Sequence, residues 1–326
     1  MRGEGAVRLA AVVNSYNRLD LLREALPSLV AALAGCPFGT AIVVFDAGSD
    51  DGSPEWLKKY KDERHGVFLD VLQIAAAADG SLSAGVNAGI DFSLHKYAGL
   101  EWLFLFETDN WIETPAPVMA AMELLENVPD LAAAGFTVKQ RNGQAAGFGC
   151  RFPTAVPFIL GQQLTDLLRL DSPRIRQWHD TRGVQWAACD AVYTSPLLIR
   201  CKAWEQIGGL DARRFPFCDT DVDWSWRAWR QGWRVAVIST SEVVHDNRGI
   251  ASEWSGSRVL DFHRARLRLL EKHSNAALWL VQALLLVRHC CEILILLLSS
   301  WRLADPRRAL RQRWTLLNSV RRGYEY

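Results

Sequence analysis

A short acidic cluster, Glu107-Thr-Asp-Asn110, directly follows the apolar run at residues 102–106. In an extended chain, side chains two residues apart point to the same side, so Glu107 and Asp109 can share one hard divalent cation. A cation held in this way can bind a nucleoside diphosphate and neutralise it as a leaving group. Taken alone, the segment fits a solvated acidic turn equally well.

A second cluster contains three carboxylates at alternate positions, Asp219, Asp221 and Asp223, followed by Arg227. Carboxylates this close repel one another, which tends to raise the pKa of at least one of them. A carboxylate with a raised pKa can serve as the general base for a hydroxyl. The acidic residues could instead stabilise the N-terminal turn of a helix over residues 224–231, and both interpretations can hold together.

Three further polar residues lie where a ligand could reach them. Asp46 follows the apolar run 41–45, and its carboxylate can accept hydrogen bonds from a nucleobase or ribose, although such segments also form plain turns. Asn87 lies among small residues, where its polar side chain needs a partner. His245 follows the apolar run 233–238; a lone histidine is more often structural, but the carboxylate pair elsewhere favours a third metal ligand.

The elements that must position these residues alternate between apolar runs and amphipathic helical stretches. Strands are predicted at residues 9–13, 41–45, 67–74, 101–106 and 131–138, with helices between them. This alternation predicts an α/β fold with a mostly parallel central sheet covered by helices on both faces. In such sheets ligands bind at the carboxyl ends of the strands, which is where the polar segments 14–17, 46–53 and 107–110 fall.

Taken in order, these segments resemble the family 2 glycosyltransferases, which have the Rossmann-like GT-A fold. The resemblance covers roughly residues 8–250 and is greatest to the bacterial subgroup that includes rhamnosyltransferases. The matching segments are Val12-Val-Asn-Ser-Tyr-Asn17, Asp46-Ala-Gly-Ser-Asp-Asp-Gly-Ser53, Gly85-Val-Asn-Ala-Gly89, Glu107-Thr-Asp109, Gly208-Gly-Leu-Asp211, Asp219-Thr-Asp-Val-Asp223 with Arg227 and Gly232, and His245. The sequence departs from the family pattern at Asn14 (usually Pro), Glu107 (usually Asp) and Thr220 (usually acidic).

The resemblance implies a metal-dependent, inverting transfer of a sugar from a nucleotide-sugar donor to a hydroxyl of a glycan or lipid-linked acceptor, in cell-surface polysaccharide synthesis. Mg²⁺ or Mn²⁺ would hold the departing diphosphate. Asp221 would be the base, preferred for its spacing to Arg227 and Gly232, with Asp219 as the open alternative. The predicted donor-binding residues are Asn14, Tyr16, Asp46, Asn87, Glu107, Thr108 and Asp109, and the predicted metal ligands are Asp109, Glu107 and His245.

The acceptor site is predicted to include Trp186, Asp190 and Trp224, since aromatic faces often stack on sugar rings. Helix packing is the alternative interpretation for the tryptophans. Two other functions compete with sugar transfer. A nucleotidyltransferase would want a Gly-rich basic loop near the N-terminus, where residues 14–20 offer only Arg18. An inactive, membrane-bound glycan-binding relative is disfavoured by the intact acidic set.

The charge of the chain is divided between its two parts. The 326 residues carry a net charge of +1, but residues 1–250 hold 24 basic and 30 acidic side chains, whereas residues 251–326 hold 13 and 6. This division predicts a catalytic domain at 1–255 and a basic, amphipathic helical region at 256–326. The composition excludes a disordered chain and a disulfide scaffold. We expect no nucleic-acid partner.

The C-terminal region contains a strongly apolar stretch at 276–301 that is interrupted by Arg288, His289 and Glu292. These polar groups argue against a membrane span and favour a helix lying in the interface of an anionic membrane. A dimerisation helix or a lid is the alternative, and a homodimer stays open. The N-terminal residues show no signal-peptide pattern, so we expect a cytoplasmic protein, peripheral at the inner face of the cell membrane.

Overall fold

The computed structural model describes residues 6–63, 66–73, 79–170, 175, 177–245, 256–299 and 306–321. Arg302, which follows the apolar stretch 276–301, lies outside the described residues. The chain divides into two compact units. The first comprises Met1–Phe152 and Arg174–Arg248, and the second comprises Pro153–Pro173 and Gly249–Tyr326.

The first unit is an α/β unit in which strands and helices alternate. Its strands are β1 (Val7–Ser15), β2 (Gly39–Asp46), β3 (Phe68–Gln73), β4 (Trp102–Glu107), β5 (Asn110–Ile112), β6 (Leu131–Phe136), β7 (Val138–Lys139), β8 (Ala145–Gly147), β9 (Gly149–Cys150), β10 (His179–Thr181), β11 (Val184–Cys189), β12 (Ala191–Val192), β13 (Leu197–Arg200), β14 (Arg234–Ile238) and β15 (Val243–His245). Its helices are α1 (Leu19–Ala34), α2 (Ser53–Lys61), α3 (Leu82–Lys96), α4 (Ala116–Asn127), α7 (Cys201–Ile207) and α8 (Thr220–Arg230), whereas α5 (Ala155–Leu160), α6 (Gln162–Leu167), α9 (Gly256–His273), α10 (Leu278–Leu298) and α11 (Pro306–Arg321) belong to the second unit.

The described strands form a central sheet in the order β10-β11-β14-β6-β13-β4-β1-β2-β3. Strands β3, β2, β1 and β4 are parallel, as the alternation predicted. The other half is mixed, because β13 enters antiparallel between β4 and β6, and β11 and β10 pair antiparallel at the far edge. The prediction of a mostly parallel sheet therefore holds for the half that carries the first polar segments.

Burial explains why the first strands read as continuous apolar runs. The middle residues of β1, β2 and β4 are buried throughout, as expected for parallel strands with helices on both faces. Helix α1 packs against them through a stripe that includes Leu22, Leu26, Leu29 and Leu33. Its first turn has no cap from its own sequence; instead, Asp51 accepts the backbone N–H of Leu19 at 2.8 Å.

Two smaller sheets complete the first unit. The order β5-β15-β7-β8 describes one of them, and β9 pairs with β12 in the other. In the first of these sheets β15 is antiparallel to β5, so that His245 lies opposite Asn110. This pairing brings a residue from the end of the unit to the turn that follows β4.

The second unit consists of helices around a small apolar core. Its buried members are Phe158, Leu267, Leu270, Val281, Leu285 and Val320. Phe158 comes from α5, within the range predicted for the catalytic domain. Nothing in the sequence indicated that residues 153–173 would group with the C-terminal helices.

The polar residues of α10 face the interior of the second unit. Arg288 donates to the carbonyl oxygen of Phe158 at 2.8 Å and pairs with Glu292 at 3.0 Å. Burial alone would raise the pKa of Glu292, yet its hydrogen bond from His289 and the charges of Arg313 and Arg288 lower that pKa to about 2. These contacts join α10 to α5 and α11. The opposite face exposes apolar side chains, which are Trp279, Leu280, Leu284, Val287, Leu294, Ile295, Leu297 and Leu298.

Helix α10 has 21 residues and is, among the described helices, the one long and apolar enough to cross a membrane. Length and composition are the whole basis of that assignment.

Candidate active site

The carboxyl ends of β1, β2 and β4 gather three of the predicted donor-binding residues. Asn14 on β1 is in register with Phe45 on β2 and Glu107 on β4, and Ser15 is in register with Asp46. The three strands are parallel, so their polar last residues meet at one edge of the sheet. Asn14, Asp46 and Glu107 therefore lie beside one another although 93 positions separate the first from the last.

The loops after β1 and β2 are joined by hydrogen bonds. Asp46 accepts the N–H groups of Gly48 and Ser49 through Oδ1, at 3.1 and 2.9 Å. Asn17 accepts the N–H of Asp50 at 2.8 Å. Tyr16 lies in the first of these loops with 57 % of its surface exposed, where a ligand can reach its ring.

Four buried oxygen atoms at these strand ends have no hydrogen-bond partner among the described residues. They are Asn14 Oδ1, Ser15 Oγ, Asp46 Oδ2 and Asp109 Oδ1. Buried polar atoms are rarely left unpaired in native proteins, so a group of four indicates a place for a ligand or for ordered water. Gly85 in α3 makes room for this group, since a Cβ there would lie 2.1 Å from Asn14 Oδ1.

Two nitrogen-bearing side chains approach the Asp109 carboxylate. Its Oδ2 is 3.3 Å from Nη1 of Arg18, and its Oδ1 is 3.5 Å from Nδ1 of His245. Asn110 Oδ1 is 2.9 Å from the same histidine nitrogen. Pairing of β15 with β5 is what delivers His245 to this position.

The structure assembles two of the three predicted metal ligands. Among the described residues, no three His, Cys, Asp or Glu side chains converge tightly enough to hold a metal ion by themselves. Glu107, whose assignment as the third ligand stays a prediction, accepts a hydrogen bond from Thr194 Oγ1 at 3.0 Å. Asp109, whose Oδ1 accepts no hydrogen bond from the described residues, and His245 fit a cation that takes its remaining ligands from phosphate and water.

The predicted base, Asp221, interacts electrostatically with Glu107. Burial raises the pKa of Asp221 to about 6, with a further contribution from the charge of Asp219, while hydrogen bonds from backbone groups including Thr194 oppose the rise. Burial likewise raises the pKa of Glu107 to about 7, and the charges of Asp109 and Asp221 add to it. The acidic segment at the start of α8 and the acidic turn after β4 thus form one electrostatic unit.

The structure gives different environments to the three aspartates of the second cluster. Asp219 precedes α8 in the left-handed conformation, with φ of 57°. Asp223 is fully buried and pairs with Arg227 at 2.9 Å. Asp221 interacts electrostatically with Glu107 and has a raised pKa, which is compatible with its predicted role as the base.

Replacing Asp223 by alanine should destabilise the fold by about 3–5 kcal/mol, because it leaves the Arg227 guanidinium without its buried partner. Arg227 also donates to the carbonyl oxygens of Ile207 and Gly209, at 2.9 and 2.7 Å, so the 207–210 turn should loosen. Urea unfolding followed by circular dichroism checks the change. An unfolding free energy equal to that of the wild type would contradict the structural role of the pair.

Asn87 does not have the environment predicted for it. Its Nδ2 donates to the carbonyl oxygen of Leu210 and its Oδ1 accepts the N–H of Leu210, both at 2.8 Å. Gly209 allows this approach, since a Cβ there would lie 2.8 Å from Asn87 Oδ1. The amide therefore fixes the turn before α8, and its assignment to donor binding stays a prediction.

The predicted acceptor residues are also used within the unit. Trp224 is buried and donates to the carbonyl oxygen of Gly208 at 3.1 Å. Trp186 is buried and donates to Thr181 at 3.0 Å. Both rings therefore belong to the core, as the packing interpretation allowed. Asp190 accepts the N–H of Phe152 at 3.0 Å and fixes that loop, while Thr108 is buried in the turn after β4.

Three residues with contacts in this site were not assigned to it from the sequence: Arg18, Thr194 and Ser195. Arg18 directly follows residues 12–17, the first segment that resembles the glycosyltransferase pattern, and this adjacency could have indicated that Arg18 belongs to the site. Thr194 and Ser195 have no distinctive spacing to the acidic clusters. Their position depends on where β13 enters the sheet.

No family model matches the chain. A curated relative, the N-acetylglucosaminyl-diphospho-decaprenol L-rhamnosyltransferase of Mycobacterium tuberculosis, is 22% identical over 282 residues, which cover 76% of this chain and 82% of the relative.

Solved structures share the fold at lower identity. The mannosyltransferase PcManGT from Pyrobaculum calidifontis, in complex with GDP-Man and Mn²⁺, is 13% identical with a TM-score of 0.56, over 99% of this chain and 91% of that one. The S. aureus TarS 1–349 in complex with UDP-GlcNAc is 14% identical with a TM-score of 0.51, over 86% and 70%. The predicted resemblance to rhamnosyltransferases, and to GT-A proteins in fold, is confirmed.

Proposed function

We propose, from the premise that this chain is a glycosyltransferase with the GT-A fold, that it transfers a sugar from a nucleotide-sugar donor to an acceptor hydroxyl with inversion, assisted by a divalent cation. The observation that carries the proposal is the position of Asp221. Its carboxylate has a raised pKa and interacts electrostatically with Glu107, which is two residues before Asp109 of the Asp109–His245 pair. A base and a cation-binding pair thus belong to one site.

The donor would bind at the ends of β1 and β2. The unpaired oxygens of Asn14, Ser15 and Asp46 can accept hydrogen bonds from the N–H and O–H groups of a nucleoside. Tyr16 is exposed beside them and can cover a base. The Pyrobaculum and S. aureus proteins, solved with GDP-Man and UDP-GlcNAc, support a donor of this class.

The cation would be Mg²⁺ or Mn²⁺, held by Asp109 and His245. When bound, it would neutralise the charge that develops on the departing diphosphate. The two side chains leave most of the coordination sphere to phosphate oxygens and water, which is the usual arrangement for these cations. Arg18, at 3.3 Å from Asp109, supplies a second positive charge on this side of the site.

The step assigned to the protein is removal of a proton. Asp221 takes the proton of the acceptor hydroxyl as that oxygen attacks the anomeric carbon from the face opposite the diphosphate. A pKa of about 6 keeps the carboxylate mostly ionised at neutral pH and close to the pH at which proton transfer is most efficient. Attack from the opposite face inverts the anomeric configuration.

The acceptor proposed is a glycan or a lipid-linked glycan at the cytoplasmic face of the membrane. The mycobacterial relative is named for an acceptor carried on diphospho-decaprenol, which supports a lipid-linked acceptor. The second unit would supply the contact with the bilayer through the apolar face of α10 and the exposed arginines of α11. Those arginines are Arg307, Arg308, Arg311 and Arg321.

A donor screen tests the proposed activity. The full chain is offered UDP-, dTDP- and GDP-sugars with Mn²⁺ or with a chelator, and the released nucleoside diphosphate is measured. One donor should be turned over in the presence of Mn²⁺ and spared in the presence of chelator. Failure to bind or cleave any nucleotide sugar, by a protein shown to be folded, would overturn the proposal.

Replacing Ile295 and Leu298 together by glutamine should weaken binding to vesicles of phosphatidylcholine and phosphatidylglycerol at least tenfold. These side chains are 62 % and 81 % exposed, and each fully buried aliphatic side chain contributes about 1.5–3 kcal/mol. Flotation of vesicles with and without phosphatidylglycerol measures the change.

The matched control is Phe68→Gln, which alters an exposed apolar side chain of the first unit and should leave flotation unchanged. Equal flotation of the double variant and the wild type would exclude α10 as the lipid contact. A change of oligomeric state without a change in flotation would assign the face to a second copy of the chain.

A further inference from the structure

Residues 193–196 connect β12 to β13 and include two adjacent polar residues with no assigned function. Thr194 is 7 % exposed, and its hydroxyl donates to Glu107 Oε1 at 3.0 Å. The backbone of the same residue also lies against the carboxylate of Asp221, where it opposes the rise in the pKa of that carboxylate. One threonine thus contacts the proposed base with its backbone and the first carboxylate of the acidic turn with its side chain.

Ser195 makes contacts on the other side of the site. Its Oγ accepts a hydrogen bond from Nδ2 of Asn110 and lies 3.5 Å from Nδ1 of His245. Asn110 itself holds that nitrogen at 2.9 Å through Oδ1. Ser195 therefore contacts the pair of residues that orients the proposed cation ligand, while its neighbour contacts the base.

Strand pairing in the central sheet fixes the position of the 193–196 segment. Strand β13 begins directly after Pro196 and pairs on both sides, with β4 and with β6. Leu197 is in register with Leu105, two residues before Glu107. Because β13 is antiparallel to β4, the first residue of β13 lies at the carboxyl end of β4. The segment 193–196, which precedes β13, therefore lies beside Glu107.

We propose that Thr194 and Ser195 are positioning residues that fix the proposed base relative to the proposed cation site. The proposal rests on the proposed function, because it concerns the same two groups. Thr194 holds Asp221 and Glu107 in place, and Ser195 holds Asn110 and, through it, His245. Thr194 and Ser195 are consecutive in the chain. One peptide unit therefore links the residue that contacts Glu107 and Asp221 to the residue that contacts Asn110 and His245.

This arrangement makes the two residues separable by experiment. Loss of the Thr194 hydroxyl should release Glu107, whose charge acts on Asp221, and so lower kcat, with little change in the affinity for the donor. Loss of the Ser195 hydroxyl should loosen Asn110 and His245 and weaken Mn²⁺ binding. If the two residues only stabilised the fold, their loss would not lower kcat in one variant and Mn²⁺ affinity in the other.

The test compares Thr194→Val, Thr194→Ser and Ser195→Ala in the full chain. Thr194→Val keeps the shape and the backbone N–H and should lower kcat about tenfold or more, since displacements near 1 Å can cost up to 100-fold. Thr194→Ser restores the hydroxyl and should recover most of the rate. Mn²⁺ affinity in the presence of nucleoside diphosphate, measured from the free-ion paramagnetic resonance signal, should fall several-fold in Ser195→Ala.

Thr137→Val is the matched control. The Thr137 hydroxyl donates to the carbonyl oxygen of Thr240 at 2.7 Å, so this change removes a structural threonine hydroxyl that contacts none of the acidic residues. It should leave kcat and Mn²⁺ affinity unchanged. A wild-type rate in Thr194→Val, or equal losses of kcat in the control, would overturn the proposal for Thr194.

Unchanged Mn²⁺ affinity in Ser195→Ala would overturn the proposal for Ser195. A wild-type protein that binds Mn²⁺ and nucleoside diphosphate but transfers no sugar would refute the proposed function instead. The Ser195 comparison would still be decided by the binding measurement, so the two failures are distinguishable.

Discussion

Substitution of Asp221 by asparagine is expected to lower kcat by about 10²–10⁴-fold, the contribution typical of a positioned general base. Asparagine keeps the shape of the side chain but cannot take the acceptor proton. The proposed donor contacts lie at the ends of β1 and β2, so nucleotide binding should persist. Initial rates and isothermal titration with nucleoside diphosphate measure the two effects separately.

Asp219→Asn is the matched control for this experiment. Asp219 is two residues away and has a left-handed backbone conformation, which asparagine tolerates. It should retain most of the activity if Asp221 is the base. Loss of transfer in Asp219→Asn, combined with normal turnover in Asp221→Asn, would move the assignment to Asp219.

The same residue predicts the pH dependence of the reaction. The pKa of Asp221 is raised from 3.8 to about 6, chiefly by burial, and the base must be ionised to accept a proton. The value of kcat should therefore fall as the pH is lowered through about 6 and level off above it. Because the folded state disfavours the charged form, this carboxylate opposes stability above its pKa, and Asp221→Asn should raise Tm at neutral pH.

The second large effect is expected for Asp109→Ala, which should weaken Mn²⁺-dependent nucleotide binding by at least about 100-fold. Loss of a residue that only contacts a metal ligand costs about 10–100-fold in metal affinity, and loss of a proposed direct ligand should cost at least the larger of these values. The substitution removes the unpaired Oδ1 and leaves Arg18 and His245 without the carboxylate between them. Nucleotide titrations with and without Mn²⁺ measure the dependence.

Asp130→Ala serves as its control, since it removes an exposed carboxylate that pairs with Arg234 outside the site. That variant should keep both the affinity and its response to Mn²⁺. If Asp109→Ala bound nucleotide as the wild type does, with the same gain from Mn²⁺, the carboxylate would have no part in holding the cation.

Much of the fold could be predicted from local patterns. The predicted strand 101–106 matches β4 to within one residue at each end, and the predicted strand 41–45 lies inside β2 (Gly39–Asp46). Both could be recognised because a strand buried on both faces must be apolar throughout. Ser53-Pro54 is a local signal for a helix start, and α2 begins at Ser53, although Gly52 and not Ser53 is its N-cap residue. The same periodicity could not show that β13 is antiparallel, since an apolar strand reads identically in either direction.

Residue type and spacing by themselves determined which segments carry chemistry: the polar ends of β1, β2 and β4 and the acidic start of α8. The tertiary structure decided which of those residues share a site. In the folded unit Asn87, Trp186 and Trp224 make hydrogen bonds to internal partners. Thr194 contacts Glu107, and Ser195 contacts Asn110. The physical reason is that a polar residue's role depends on whether the fold supplies its partner. Sheet register and strand pairing between distant segments set that outcome, and no local spacing encodes them.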